Sequence, residues 1–334
     1  MDSNIDDYDN QPYANKDVRH IGGRQIMNGI HIFLLCLAAL FVLLYALQPK
    51  RPKIAFTYLR YIVLALIAAM VMAPFFWLLC SAFKDSSVLM KYTFLPPIMN
   101  WAKEINLSNF RELFKSQPSM EGNVYFWQYI INSLFLASIT TIVQMFFSSM
   151  GGYALAKYDF KGKKIIMFFM LASMMIPGVV LLAPVYKLIV NIGLMDTYWA
   201  LVLPGACSVF GMFLFRQAIV GIPKDLIEAG RIDGCSEFSI YMNLIMPLVR
   251  PMTGAFCLVT FLGSWNNFLG PQVYINAQSK LTLPVVLNQY VGVYANQYGV
   301  FLAGTLLAII PPAILFFCLQ KEFISGLSSG AVKG

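Results

Sequence analysis

The 334-residue sequence is poor in the side chains that most chemistry requires. Its two histidines, His20 and His31, both lie near the N-terminus, so a histidine-based metal or general-base site has almost no material to draw on. Charged residues make up 12% of the chain, against about a quarter in an average soluble domain. An ordinary water-soluble surface is thereby excluded. The six cysteines (Cys36, Cys80, Cys207, Cys235, Cys257, Cys318) form no C-x-x-C pair and lie mostly within apolar runs, where they read as packing residues. No G-x-x-x-x-G-K-[ST] loop is present, because Gly162-Lys163-Lys164 lacks both the earlier glycine and the hydroxyl. The chain therefore does not hydrolyse ATP by that route. A metal-binding helix and a nucleophile elbow are missing as well.

What the chain has in quantity is apolar surface: 58% hydrophobic residues, 15% aromatic and a mean hydropathy of +0.66. That is the composition of an all-α polytopic membrane protein. The net charge of +8 comes from Lys and Arg scattered at the ends of apolar runs. Such scatter sets membrane topology and does not make a nucleic-acid surface.

Residues 1–28 are polar, with Asp2, Asp6, Asp7 and Asp9 at the start, and read as a flexible tail; a signal peptide would open with a short basic region. Apolar runs follow at 30–47, 59–82, 127–149, 165–187, 199–219, 250–271 and 300–320, each about the ~20 residues that cross a ~30 Å hydrocarbon core. The first run is the shortest, and an interfacial or re-entrant placement is its alternative to spanning. Four lysines in 156–164 and the cluster Lys50, Arg51, Lys53, Arg60 belong on the cytoplasmic side. Counting spans then makes loop 221–248 and the C-terminal tail cytoplasmic, while 83–126, 188–198, 272–299 and the N-terminus face outward.

Loop 221–248 is the most charge-rich stretch between hydrophobic spans. Pro223 suits a first helical position, Asp225 and Glu228 sit near the positive end of that helix, Gly234 is a natural left-handed stop, Ser236 can cap a second short helix and Pro247 can end it. Ala229, Gly230 and Gly234 would let a partner's surface approach, with Glu228, Arg231 and Asp233 supplying charge. By spacing alone, a solvated loop with two caps fits equally well.

Within the spans, Ser264-Trp265-Asn266-Asn267-Phe268 places two adjacent amides at membrane depth. They suit either a neutral polyhydroxylated solute, whose rings Trp265 could stack on, or hydrogen bonding between helices. Met175-Ile176-Pro177-Gly178 and Pro184 break or kink the run 165–187, where Pro177, Tyr186 and Met174 are candidates to line a pathway and packing is their alternative. Pro311-Pro312 is expected to kink the last span in the same manner.

Glu228-Ala229-Gly230, Asp233-Gly234 and Met246-Pro247 resemble the coupling-loop pattern of permease subunits in binding-protein-dependent ABC importers, with Gly230 standing for the usual Ala and Met246 for the usual Leu. Ala154-Leu155-Ala156, Arg216-Gln217, Ile222-Pro223 and the ending Gly330-Ala331-Val332-Lys333-Gly334 extend the resemblance over residues 60–334, nearest to the second permease subunit of maltose-type carbohydrate importers. The resemblance implies a six-span permease domain at 59–321. An additional span and basic linker at 29–58 would precede it, and a cytoplasmic tail at 322–334 would follow. Glu228, Ala229, Gly230, Asp233, Gly234 and Pro247 would dock on an ATPase, the tail Gly330–Gly334 would reach into the ATPase dimer, and Trp265, Asn266 and Asn267 would lie on the sugar's path. A bacterial or archaeal cytoplasmic membrane would hold this chain, a homologous second permease, two ATPase subunits that carry ATP and Mg, and an extracytoplasmic sugar-binding protein. The cargo is expected to be an oligosaccharide, with glycerol phosphate or a polyol as the alternative. A secondary transporter or a membrane-embedded enzyme would need ionisable residues at membrane depth, which the runs hardly contain.

Overall fold

A computed structural model describes residues 52–120, 122–292 and 297–331. The tail 1–28, the candidate first span 30–47, and Val332, Lys333 and Gly334 lie outside the described residues. The chain forms two compact units, one ending at Phe76 and one running from Trp77 to Gly334. The described part of the first is apolar helix, and the boundary falls inside α1 (Pro52–Ala82).

The second unit is helical apart from a small hairpin, Gln117–Ser119 against Gly122–Val124, with Gln117 opposite Val124. Two further helices are long and apolar enough to cross a membrane alone, α2 (Phe126–Lys157) and, from Tyr298, the last helix of the chain. Between them lie three pairs of shorter helices. α3 (Lys163–Ser173) and α4 (Gly178–Asn191) meet at 95°, and α5 (Trp199–Gly205) and α6 (Val209–Val220) at 46°. After α7 (Lys224–Ile232), α8 (Glu237–Leu248) turns by 85° into α9 (Arg250–Trp265). If each pair counts as one crossing, the described residues contain six. The chain closes with α10 (Leu269–Tyr274), α11 (Leu283–Gly292) and α12 (Tyr298–Ala331).

The break expected at Pro177 is present and larger than a kink. Three turn-type hydrogen bonds run through Met174, Met175 and Ile176, after which Pro177, extended at ψ 127°, restarts the chain in a new direction. One expectation needs correction. The span foreseen at 250–271 ends at Trp265, because Asn266 terminates the helix, and the chain restarts as α10 after a three-residue gap. α12 runs as one helix through Pro311 and Pro312. Pro312 cannot donate to the carbonyl of Ala308, four residues back; Trp265 Nε1 donates to that carbonyl instead, at 3.2 Å.

Of the four hydrophobic clusters described in the second unit, the two largest position the site. One packs Phe126 and Tyr129 of α2 with Trp265 of α9, Leu283, Val286 and Tyr290 of α11, and Ala303 of α12. The other packs Tyr153 of α2 and Phe215 and Ile219 of α6 with Ile227, Ile240, Tyr241 and Ile245 of the loop helices. On the expected outer side, Asp196 adopts φ 59° and accepts from the backbone N–H groups of Asn276 and Ala277 at 3.0 and 2.9 Å and from Lys280 Nζ at 2.9 Å. Partial burial pulls its carboxyl upward, but those three donors outweigh burial and hold it below its ordinary value.

Candidate functional site

A cavity of about 330 Å³ opens among α2, α5 and α9. It is lined by Leu136, Thr140 and Gln144, which recur every fourth residue along one face of α2, by Leu201 and Gly205 of α5, by Thr260, Gly263 and Ser264 of α9, and by Asn267. At 1.5 Å per residue, Thr140 stands about 20 Å along α2, near its middle. No ionisable residue lines the cavity.

Of the foreseen pathway residues, only Asn267 reaches this cavity. Its Oδ1 accepts from the backbone N–H of Gly270 at 3.1 Å, in the first turn of α10. Asn266 turns back on its own helix, its Nδ2 donating to the carbonyl of Leu262 at 3.0 Å. Trp265 is 3% exposed, stacked on Phe261 at 5.9 Å and committed to Ala308; its place is in the core. Tyr186 stacks on Tyr274 at 6.4 Å, and neither it nor Pro177 lines the cavity.

Thr140, Gln144 and Thr260 were not among the residues foreseen for a pathway. Their signal was available in Gln144, an amide in the middle of an apolar run, and in Thr140 four residues before it. Among the described residues, the side chains of Thr140, Gln144, Thr260 and Ser264 have no hydrogen-bond partner within the chain. Polar groups at that depth are normally satisfied, so the cavity presents four unpartnered side chains of neutral polarity.

The loop 221–248 is a helix-turn-helix, as its turn residues require. Gly234 has φ 78°, Gly234 N–H donates to Arg231 and Cys235 N–H to Gly230; this paired bonding closes a helix end around a left-handed residue. Ser236 Oγ accepts from Ser239 N–H at 3.2 Å and starts α8. α8 outlasts Pro247 by one residue, and residues Ile240–Ile245 ahead of that proline widen into a π-turn. Gly230, where the usual pattern has Ala, faces α8: a Cβ there would stand 3.3 Å from Ile240 Cγ1.

Glu228, Ala229 and Asp233 are exposed, and neither acid has an ion pair among the described residues. Ile232, 86% exposed, projects beside them. Arg231 is different from its neighbours. It pairs with Glu237 at 2.6 Å, and Glu237 also accepts from the hydroxyl of Tyr158, just past the end of α2. The donors Arg231 and Tyr158 hold the Glu237 carboxyl below its ordinary value, whereas burial and then the carboxylate raise the Tyr158 hydroxyl. Of the foreseen C-terminal contact residues, Gly330 and Ala331 lie in the last turn of α12.

Apolar helices long enough to cross a membrane, three bent helix pairs among them and an exposed charged loop packed on their ends have the make-up of a membrane permease subunit. The family described as binding-protein-dependent transport system inner membrane component matches residues 148–327, and the chain belongs to that family. It is 39% identical over 269 residues to the arabinooligosaccharides transport system permease protein AraQ of Bacillus subtilis, covering 80% of this chain and 93% of that one. It is 28% identical to the lactose transport system permease protein LacG of Rhizobium radiobacter, covering 82% and 95%. A chain from the crystal structure of a bacterial ABC transporter involved in the import of the acidic polysaccharide alginate shares the fold, with a TM-score of 0.70 at 21% identity, covering 82% of this chain and 98% of that one.

Proposed function

We propose that this permease subunit carries neutral oligosaccharides, and that its cavity is one wall of their path across the membrane. The observation that carries the reading is the set of four unpartnered hydroxyl and amide side chains, Thr140, Gln144, Thr260 and Ser264, in a cavity with no ionisable lining. Hydroxyls and amides both donate and accept, as sugar hydroxyls do. A phosphate-bearing cargo would call for Arg or Lys there. The likeness to AraQ and LacG, permeases for arabinooligosaccharides and lactose, supports the same class.

The work is mechanical. Two ATPase subunits holding ATP and Mg engage the exposed loop through Glu228, Ala229, Gly230, Asp233 and Gly234, and the C-terminal residues Gly330–Gly334 add a contact. Closure of the ATPases rocks this chain and a homologous second permease to an outward-open state that accepts sugar from an extracytoplasmic binding protein. The loop and the C-terminus lie on the cytoplasmic side.

The experiment is uptake by the complex purified from its native membrane and reconstituted into vesicles. Arabinotriose should enter with ATP, while trigalacturonate and glycerol 3-phosphate should not. Gln144→Ala should raise KM about 2- to 10-fold, the worth of one or two neutral hydrogen bonds. Glu228→Ala and Gly234→Asp should abolish uptake with the protein still in the membrane. Uptake of the acidic trimer in preference to the neutral one would overturn the cargo assignment, and wild-type uptake by both loop variants would overturn the docking role.

A further inference from the structure

The loop is joined to the rest of the unit by more than its two chain ends. Lys157 Nζ donates to the carbonyl of Ile222, Lys224 Nζ lies 3.6 Å from Asp159, and Ser149 Oγ and Tyr241 Oη share a buried hydrogen bond of 2.6 Å. Glu237 gathers one oxygen to Arg231 of α7 and the other to Tyr158, so a single carboxylate ties both loop helices to the end of α2. The rings of Tyr153 and Tyr158 meet edge to face at 5.6 Å, and Tyr153 lies 5.7 Å from Tyr241.

All of these attachments fall on 149–159, the cytoplasmic end of α2 and the residues just beyond it. The same helix supplies Thr140 and Gln144 to the cavity about 20 Å away, at 1.5 Å per residue from Lys157. The other cavity elements reach the loop through bends, of 46° between α5 and α6 and 85° between α8 and α9. A bend can absorb a displacement; a continuous helix passes it on.

We infer that α2 is the rod by which movement of the loop reaches the cavity, and that Tyr158 and Glu237 are the positioning residues that latch the loop to it. The inference rests on the reading of the loop as the ATPase dock, and it is independent of the cargo. Exposed ion pairs contribute little stability singly. The latch therefore acts on transmission, and its loss leaves the fold intact.

The test uses hydrogen–deuterium exchange on the intact complex, with and without ATP and vanadate to trap the closed ATPases, so that no cargo is needed. In the wild type, trapping should change exchange both in the loop peptides (221–248) and in the cavity segment of α2 (136–144). Tyr158→Phe, which keeps the ring against Tyr153, and Glu237→Gln should each preserve the loop response and lose the cavity response, and the double variant should lose no more than either. ATP hydrolysis should persist in both single variants. A cavity response equal to wild type in both would overturn the inference. So would failure of both to assemble with the ATPase, which would make the latch part of the dock itself. A wild-type complex whose loop does not respond would refute the docking reading along with it, a result distinct from any failure of the neutral-sugar assignment.

Discussion

At the scale of single residues, the side chains of one motif have been divided between two tasks. Trp265 and Asn267 stand two positions apart, yet one completes the core and the other faces the cavity. Trp265 serves α12 by satisfying the carbonyl that Pro312 leaves open. Trp265→Phe keeps the stack on Phe261 but orphans that carbonyl. It should destabilise the protein by about 1–3 kcal/mol, read as a lowered Tm in detergent, while the uptake preference among sugars stays unchanged. A shift in preference without loss of stability would return Trp265 to the sugar path.

Elements were legible in the sequence where their cause was local. Gly234, Ser236 and Pro177 fix backbone geometry within a few residues, so the loop's two helices and the break after α3 could be read in advance. The end of α9 could not, because the helix stops at Asn266, whose side chain folds back on Leu262, with neither Gly nor Pro there to announce it. The cavity wall of α2 was missed for a related reason: Thr140 and Gln144 gain their meaning only when α5 and α9 are placed opposite them. Arg231 was read as free charge because its partner, Glu237, lies across a turn whose closure brings the two together. Packing between α2 and α6 gives the prediction that belongs at this scale. A Cβ at Gly152 would stand 2.6 Å from Phe215 Cβ and 2.9 Å from both the carbonyl oxygen of Met212 and the N of Arg216. Backbone cannot rotate aside as a side chain can. Gly152→Ala should cost about 1–3 kcal/mol through overpacking, even though Ala is the better helix former by about 1 kcal/mol. Thermal unfolding would check this, and an unchanged or raised Tm would show that the helices can part freely.

For the whole molecule, the useful division is between a rigid part and a yielding part. α2, with the loop fastened to its end, belongs to the rigid part, and the helices interrupted at Met174–Pro177, Ala206–Ser208 and Val249 form the yielding part. The permease function needs both, since alternating access requires some elements to move as bodies while others change their angles. At this scale the expected result of breaking the ATPase dock, through Glu228→Ala or Gly234→Asp, is a complex that is present but idle. The result of breaking the latch is different in kind: ATP is spent and the cavity stays still.

The attachment of the loop through 149–159 also bears on how such subunits are exchanged for one another. A chimera that borrowed only 221–248 from a relative would leave Ser149, Lys157, Tyr158 and Asp159 facing strangers, even if every docking residue came across intact. Loop and stalk are a single heritable module written in two separated stretches of sequence, and substitutions in one would have to be answered in the other.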